Sequence, residues 1–397
     1  MLGLWSVRAA LVLALVTAGS VEVSGAAPGG VLATLSSLVF PALFATAGFS
    51  AARPSTGATW REALVRRLRL GLPPYVFIIV VSVAILGPLA TNLAFADYAT
   101  TLDTYAYLLN LVGVPRYELP GVFEFNNAAN VVNAIVWLAP CYLFVIAIAA
   151  LRSNRRDVRA APAALAAALA LASLLVEALD LLNQGDRSLA VLILRGDGTA
   201  ALLGGLLGAA AYQLRNWVPA DRRLAIGAAV LVAAGARLGG NVGQFAPLLR
   251  VGVTVPITYL VVYLVLRPLP FAAIGRALAP FLPGLLLFSY PLQQVAIQYG
   301  PRPQGPLLNL ALAGTATLLI AGAFWRAIGS RIVARPLAPK TIQASPARSV
   351  RRLWRTVRRL APQAAVGYVG AAAAVAAVFL ALLWMVYVAS QPDIGEM

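Results

Sequence analysis

Few side chains in this sequence can hold or move a proton near neutral pH. Its 397 residues include no histidine and a single cysteine. That removes the most frequent general base and metal ligand, and leaves no thiol pair for a disulfide or metal cluster. Cys141 sits in an apolar run and reads as an inert buried thiol. Carboxylates are the remaining acid–base candidates. Glu177 and Asp180 are three positions apart and share one helix face. Because ionisable groups inside a bilayer are costly, they are candidates for function, as an ion pair with Arg187 or Arg195 or as a site carboxylate. Glu124 stands beside Asn126, Asn127, Asn130 and Asn133, which could bind a glycan or cap a helix. Residues 285–294, LLLFSYPLQQ, put Ser289, Tyr290, Gln293 and Gln294 around Pro291. Amides placed so can bond between helices or meet a ligand. Arg8 lies within the first apolar run, where it can snorkel to the surface. No glycine-rich phosphate motif and no metal-ligand spacing occurs.

The elements that must position these groups are membrane helices. Hydrophobic residues make up 60% of the chain, charged residues 11%, and the mean hydropathy is +0.82. A soluble core cannot hide so much apolar surface, so the bilayer is its solvent. The sequence predicts an all-α integral membrane protein with eleven helices near 2–21, 31–50, 73–93, 130–151, 160–182, 197–214, 224–240, 248–266, 279–298, 306–329 and 364–389. The first run can be an uncleaved helix or, with SGAA at 24–27, a signal peptide; the topology of the rest is the same. Arginines collect in alternate connections, at 53–69, 152–159, 215–223, 267–276 and 326–359. That places these connections and the amino end in the cytoplasm and the tail outside. The net charge of +17 therefore reports topology and contact with anionic membrane lipids, not a nucleic-acid partner.

Two connections are long. Residues 94–129 form an external loop with Asp97, Asp103, Glu118 and Glu124, a length associated with function. Within 336–363, SVRRLWRTVRRL sets Val350, Leu353, Trp354, Val357 and Leu360 on one face, with Arg351, Arg352, Arg355, Arg358 and Arg359 around them. That fits an amphipathic helix on the cytoplasmic leaflet, or an ordinary basic loop that is helical. Three units follow: a transmembrane domain at 1–335, this basic segment at 336–363, and a last helix with its tail at 364–397.

Several segments, in order, resemble the acyltransferase 3 family of integral membrane proteins. They are ALFATAGFS at 42–50, REALVRRLRLGLPPY at 61–75, GPLATN at 87–92, YLLNL at 107–111, LPGVFEFNNAANVVNAIVWL at 119–138, ALLGGLLGAAAYQLRN at 201–216 and LLLFSYPLQQ. The resemblance implies a ten-helix bundle in a bacterial inner membrane, transferring acyl groups from acyl-CoA to hydroxyls of glycans or lipids. It makes Arg8, Arg66, Arg67, Asn133, Trp137, Tyr290 and Gln293 candidate ligand contacts, with Arg8 suited to the phosphates of CoA.

Departures from the family pattern fall on the chemistry. The histidine expected eleven residues after Arg8 is Gly19, and the ninth-helix histidine is Ser289. The fourth-helix glutamate is Tyr142, and the glutamate expected in FWRAIGSR is Gly329. A positioned base is worth about 10²–10⁴-fold in proton transfer, and neither glycine, serine nor tyrosine accepts a proton well at neutral pH. The expectation is a pseudoenzyme that requires no cofactor: a subunit of a membrane complex, or a binder of a lipid or glycan. The alternative is an active O-acyltransferase using acyl-CoA, with Glu124, Glu177 or Asp180 in place of histidine.

Overall fold

In a bilayer every backbone polar group must be paired within the protein, which a helix achieves within one segment. The computed structural model follows that constraint. It describes residues 3–25, 30–53, 60–112, 116–126, 130–132, 142, 145, 162–170, 197–216, 219–239, 246–269 and 271–334. Among them regular structure is helical, apart from one isolated bridge between Thr91 and Val122. Helices α1 (Leu4–Val23) and α2 (Gly30–Ala51) come first. Next, α3 (Trp60–Val81) passes through a π-helical turn at Ser82–Leu86 into α4 (Gly87–Ala90). Two short helices, α5 (Phe95–Thr100) and α6 (Leu102–Ala106), lead into a 3-10 turn at Tyr107–Val112. The second half supplies α7 (Asp197–Gln213), α8 (Arg222–Gly239), α9 (Ala246–Leu266), α10 (Ala272–Leu278) and α11 (Leu282–Tyr299). Last come α12 (Pro306–Phe324), a π-helical turn at Trp325–Gly329 and α13 (Ser330–Ala334).

Three helical stretches are long and apolar enough to cross a membrane: Leu4–Val23, Leu64–Ala90 and Pro306–Ile332. The pair α10 and α11, bent by 71°, gives a fourth if it counts as one span. Most of the runs expected at 130–151 and 160–182, and all of the run at 364–389 and the basic segment 336–363, lie outside the described residues.

Two boundaries differ from expectation for local reasons. α3 begins at Trp60 rather than near 73, because REALVRRLRL is built of strong helix formers. The run at 279–298 breaks before Leu282. Pro280 and Pro283 have no N–H to carry the helical hydrogen-bond ladder through this point, which accounts for the bend.

Small residues set the closest helix contact. A β-carbon at Gly204 would collide with the Pro41 carbonyl, and one at Gly208 with that of Ala45. Glycine there lets α2 and α7 approach backbone to backbone, the usual device for packing helices in lipid. Two apolar cores flank α1. One joins Val12 and Val16 to Phe77, Phe288 and Phe324, from α3, α11 and α12. The rings of these three phenylalanines lie 5.1–5.6 Å apart. The other joins Leu4 and Val7 to Ala42, Phe49, Val232 and Val261, from α2, α8 and α9.

The long connection after α4 folds back onto the first core, burying Tyr98, Tyr107, Leu119, Val122 and Phe123. Tyr98 donates to the Val83 carbonyl in the π-helical turn at 2.9 Å. Tyr75 donates to the Asn110 carbonyl. The Asn110 amide donates to the carbonyls of Tyr107 and Arg116 at 2.9 and 3.0 Å and accepts from the Arg116 N–H at 3.0 Å. These bonds turn a polar loop into a cap.

Candidate functional site

Pro291 leaves α11 without one N–H donor, and the polar residues after it tie the helix to its neighbours. Gln293 donates from Nε2 to the Val16 carbonyl of α1 at 2.6 Å, and its own carbonyl accepts from Asn309 of α12 at 2.9 Å. Gln294 donates to the Asn130 carbonyl at 3.1 Å, while its side-chain oxygen accepts from Asn126 at 2.7 Å. Ser20 lies 3.0 Å from Oδ1 of Asn309 and 2.6 Å from the Pro306 carbonyl, within donating reach of both. All four of Ser20, Gln293, Gln294 and Asn309 are buried.

Gly19 belongs to this cluster. A β-carbon at 19 would stand 2.6 Å from Oε1 of Gln293 and 3.2 Å from the Tyr290 ring. That oxygen is buried and accepts no hydrogen bond. The place where the family resemblance expects an imidazole is thus filled by an amide packed on bare backbone. Ser289, four residues before Gln293 and so on the same flank of α11, is buried as well. Tyr290 donates to the Glu22 carboxylate at 3.0 Å. Glu22 is exposed, one turn beyond Gly19. It is the carboxylate that sequence reasoning passed over: it fills no slot of the family pattern, and its partner lies 268 residues away. Its spacing of three from Gly19 was the available signal.

A second polar group sits nearer the start of α1. Arg8 donates to the Thr46 hydroxyl and carbonyl, both at 3.0 Å, and to the Ser50 hydroxyl at 2.8 Å. Its guanidinium also lies over the Trp5 ring, 5.3 Å from the centroid. Arg67 donates to the Ser50 carbonyl at 2.7 Å. Two guanidinium groups therefore converge on Ser50, a cationic arrangement able to meet an anion. Arg66 is exposed. Tyr142 packs edge-on to Phe44, 5.7 Å between centroids, and against Ala51 and Ala52.

The other candidates are scattered. Glu124 is exposed in the cap and accepts from Asn92 at 2.9 Å. Gly329 lies under the Trp325 ring, which any β-carbon there would strike. Asn133, Trp137, Glu177, Asp180, Arg351, Arg352, Trp354, Arg355, Arg358 and Arg359 lie outside the described residues. Of the four positions that depart from the pattern the resemblance expects, Gly19 and Ser289 flank one buried cluster, Tyr142 packs on α2, and Gly329 lies beneath Trp325 where α12 ends. Among the described residues no group of three or more Cys, Asp or Glu could hold a metal ion. Compared with known proteins, the chain matches no family model, no curated protein and no solved structure.

Proposed function

We propose that this chain is a membrane protein on an acyltransferase-3-like scaffold that has lost acyl transfer. It serves as an accessory subunit of a membrane complex, or binds a lipid or glycan. One observation carries the reading: the packing of Gln293 against Gly19. Acylating a hydroxyl needs a base at the attacking oxygen, worth about 10²–10⁴-fold. At this position there is an amide, which takes up no proton at neutral pH. The surrounding polar groups bond one another across α1, α11 and α12, which favours a structural role for the cluster. The reading sets the protein in a bacterial inner membrane with its amino end cytoplasmic, in line with the arginine distribution.

The test is direct. Purified full-length protein, given acetyl-CoA and a glycan or lipid hydroxyl acceptor, should cleave the thioester no faster than buffer does. Extraction in mild detergent should recover a stoichiometric membrane partner or a bound lipid or sugar. Migration alone with nothing bound would refute the accessory role.

A second reading is favoured by one contact. Glu22, bonded to Tyr290 beside Gly19, is a carboxylate near the position left without a base. In an active O-acyltransferase it would accept the acceptor's proton as the hydroxyl oxygen attacks the thioester carbonyl of acyl-CoA; the C–S bond breaks as the ester forms, and CoA leaves as its thiolate. Turnover that disappears in Glu22→Gln would establish this reading and overturn the first.

A further inference from the structure

A cleft opens between α3, the start of α11 and the end of α12, and shares no lining residue with the Gly19 cluster. Leu70, Pro73, Pro280, Pro283, Phe324 and Trp325 form most of its wall. Prolines present ring carbons and no N–H, so this wall is hydrocarbon with few donors. Gly329 shapes it further: a β-carbon there would strike the Trp325 ring, so glycine lets the indole lie against the backbone. Where the family pattern expects a carboxylate, the cleft has an aromatic face.

One charged residue lines the cleft, Arg69. Arg66 lies one turn before it on the same face of α3 and is exposed, as is Arg326 beside Trp325. Glu62, one turn before Arg66, is the lone acid on α3. The cleft thus combines an apolar wall with one lining arginine, between helical stretches that are apolar enough to cross a membrane. We infer that it seats an acyl chain of an anionic phospholipid, with the lipid phosphate against Arg69. Guanidinium groups pair well with phosphate oxygens, whereas a zwitterionic headgroup brings its own cation and gains less. The site is separate from the Gly19 cluster, so its failure would leave the proposed loss of chemistry untouched.

Trp325 supplies the probe. Full-length protein is placed in phosphatidylcholine vesicles doped with either dibrominated phosphatidylglycerol or dibrominated phosphatidylcholine, because bromine quenches a touching indole. The part of the quenching due to Trp325 is the difference from Trp325→Phe. At equal doping it should respond about fivefold more strongly to the anionic lipid, as expected for one arginine near a charged headgroup. The preference should vanish in Arg69→Gln and persist in Arg69→Lys, a pair that separates charge from folding. Equal quenching by the two lipids would overturn the proposal, as would a preference that survives Arg69→Gln.

Discussion

At position 19 the absence of a side chain makes room for the Gln293 amide and the edge of the Tyr290 ring. Gln293 approaches α1 closely enough to bond the Val16 carbonyl, and a β-carbon at 19 would stand 2.6 Å from its Oε1. Gly19→Ala forces the amide aside, and overpacking of this kind costs about 1–3 kcal/mol. Thermal unfolding in detergent should show the loss, and an unchanged midpoint would mean that Gln293 is free to swing away. Gly19→His, which installs the residue that the acyltransferase 3 resemblance expects, should be worse still and should not create acyl transfer, since the imidazole meets the space that Gln293 holds. Arg8 makes the complementary point. Its hydrogen bonds go to Thr46 and Ser50, so an anion reaching it must compete with donors and acceptors already engaged.

Among the elements, the cap over α3 and α4 depends on a few tyrosine and asparagine contacts. Tyr98 is held well above its ordinary range, to about 12, by burial first and by Tyr105 second. The unfolded chain loses this proton near pH 10, whereas the folded cap retains it up to about 12. Stability from Tyr98 is therefore complete below pH 10 and declines as pH rises from there toward 12. Unfolding midpoints should fall over that window, and Tyr98→Phe should flatten the Tyr98 part of the fall. The cap also shows what the sequence could and could not convey. Long apolar runs announced α1, α2, α7 and α12 to within a few residues, because length and hydropathy suffice for a helix in lipid. The loop's polar composition concealed that Tyr98, Tyr107 and Leu119 turn inward, since turns this short carry no periodicity to read. Nor could it reveal that Gln293 reaches α1, a pairing that only the tertiary fold creates. Glu22 was passed over for the same reason.

For the whole molecule, the proposed orientation makes opposite demands on two exposed acids. With Cys141→Ser as background, Asp103→Cys in the cap should react with an impermeant thiol reagent on intact cells. Asp221→Cys, before α8, should react only after the cells are opened. The reverse pattern would invert the topology, and with it the leaflet assigned to the Arg69 cleft. α1 belongs to both apolar cores, meeting α2, α8 and α9 with Leu4 and Val7, and α3, α11 and α12 with Val12 and Val16. That double membership has a consequence for assembly during synthesis. Val16 and Ser20 emerge early, yet Gln293 and Asn309, which bond them, follow 277 and 289 residues later. Until the ribosome has delivered α11 and α12, α1 is half-dressed, its polar flank without its final neighbours. It must wait in the membrane for partners made long after it.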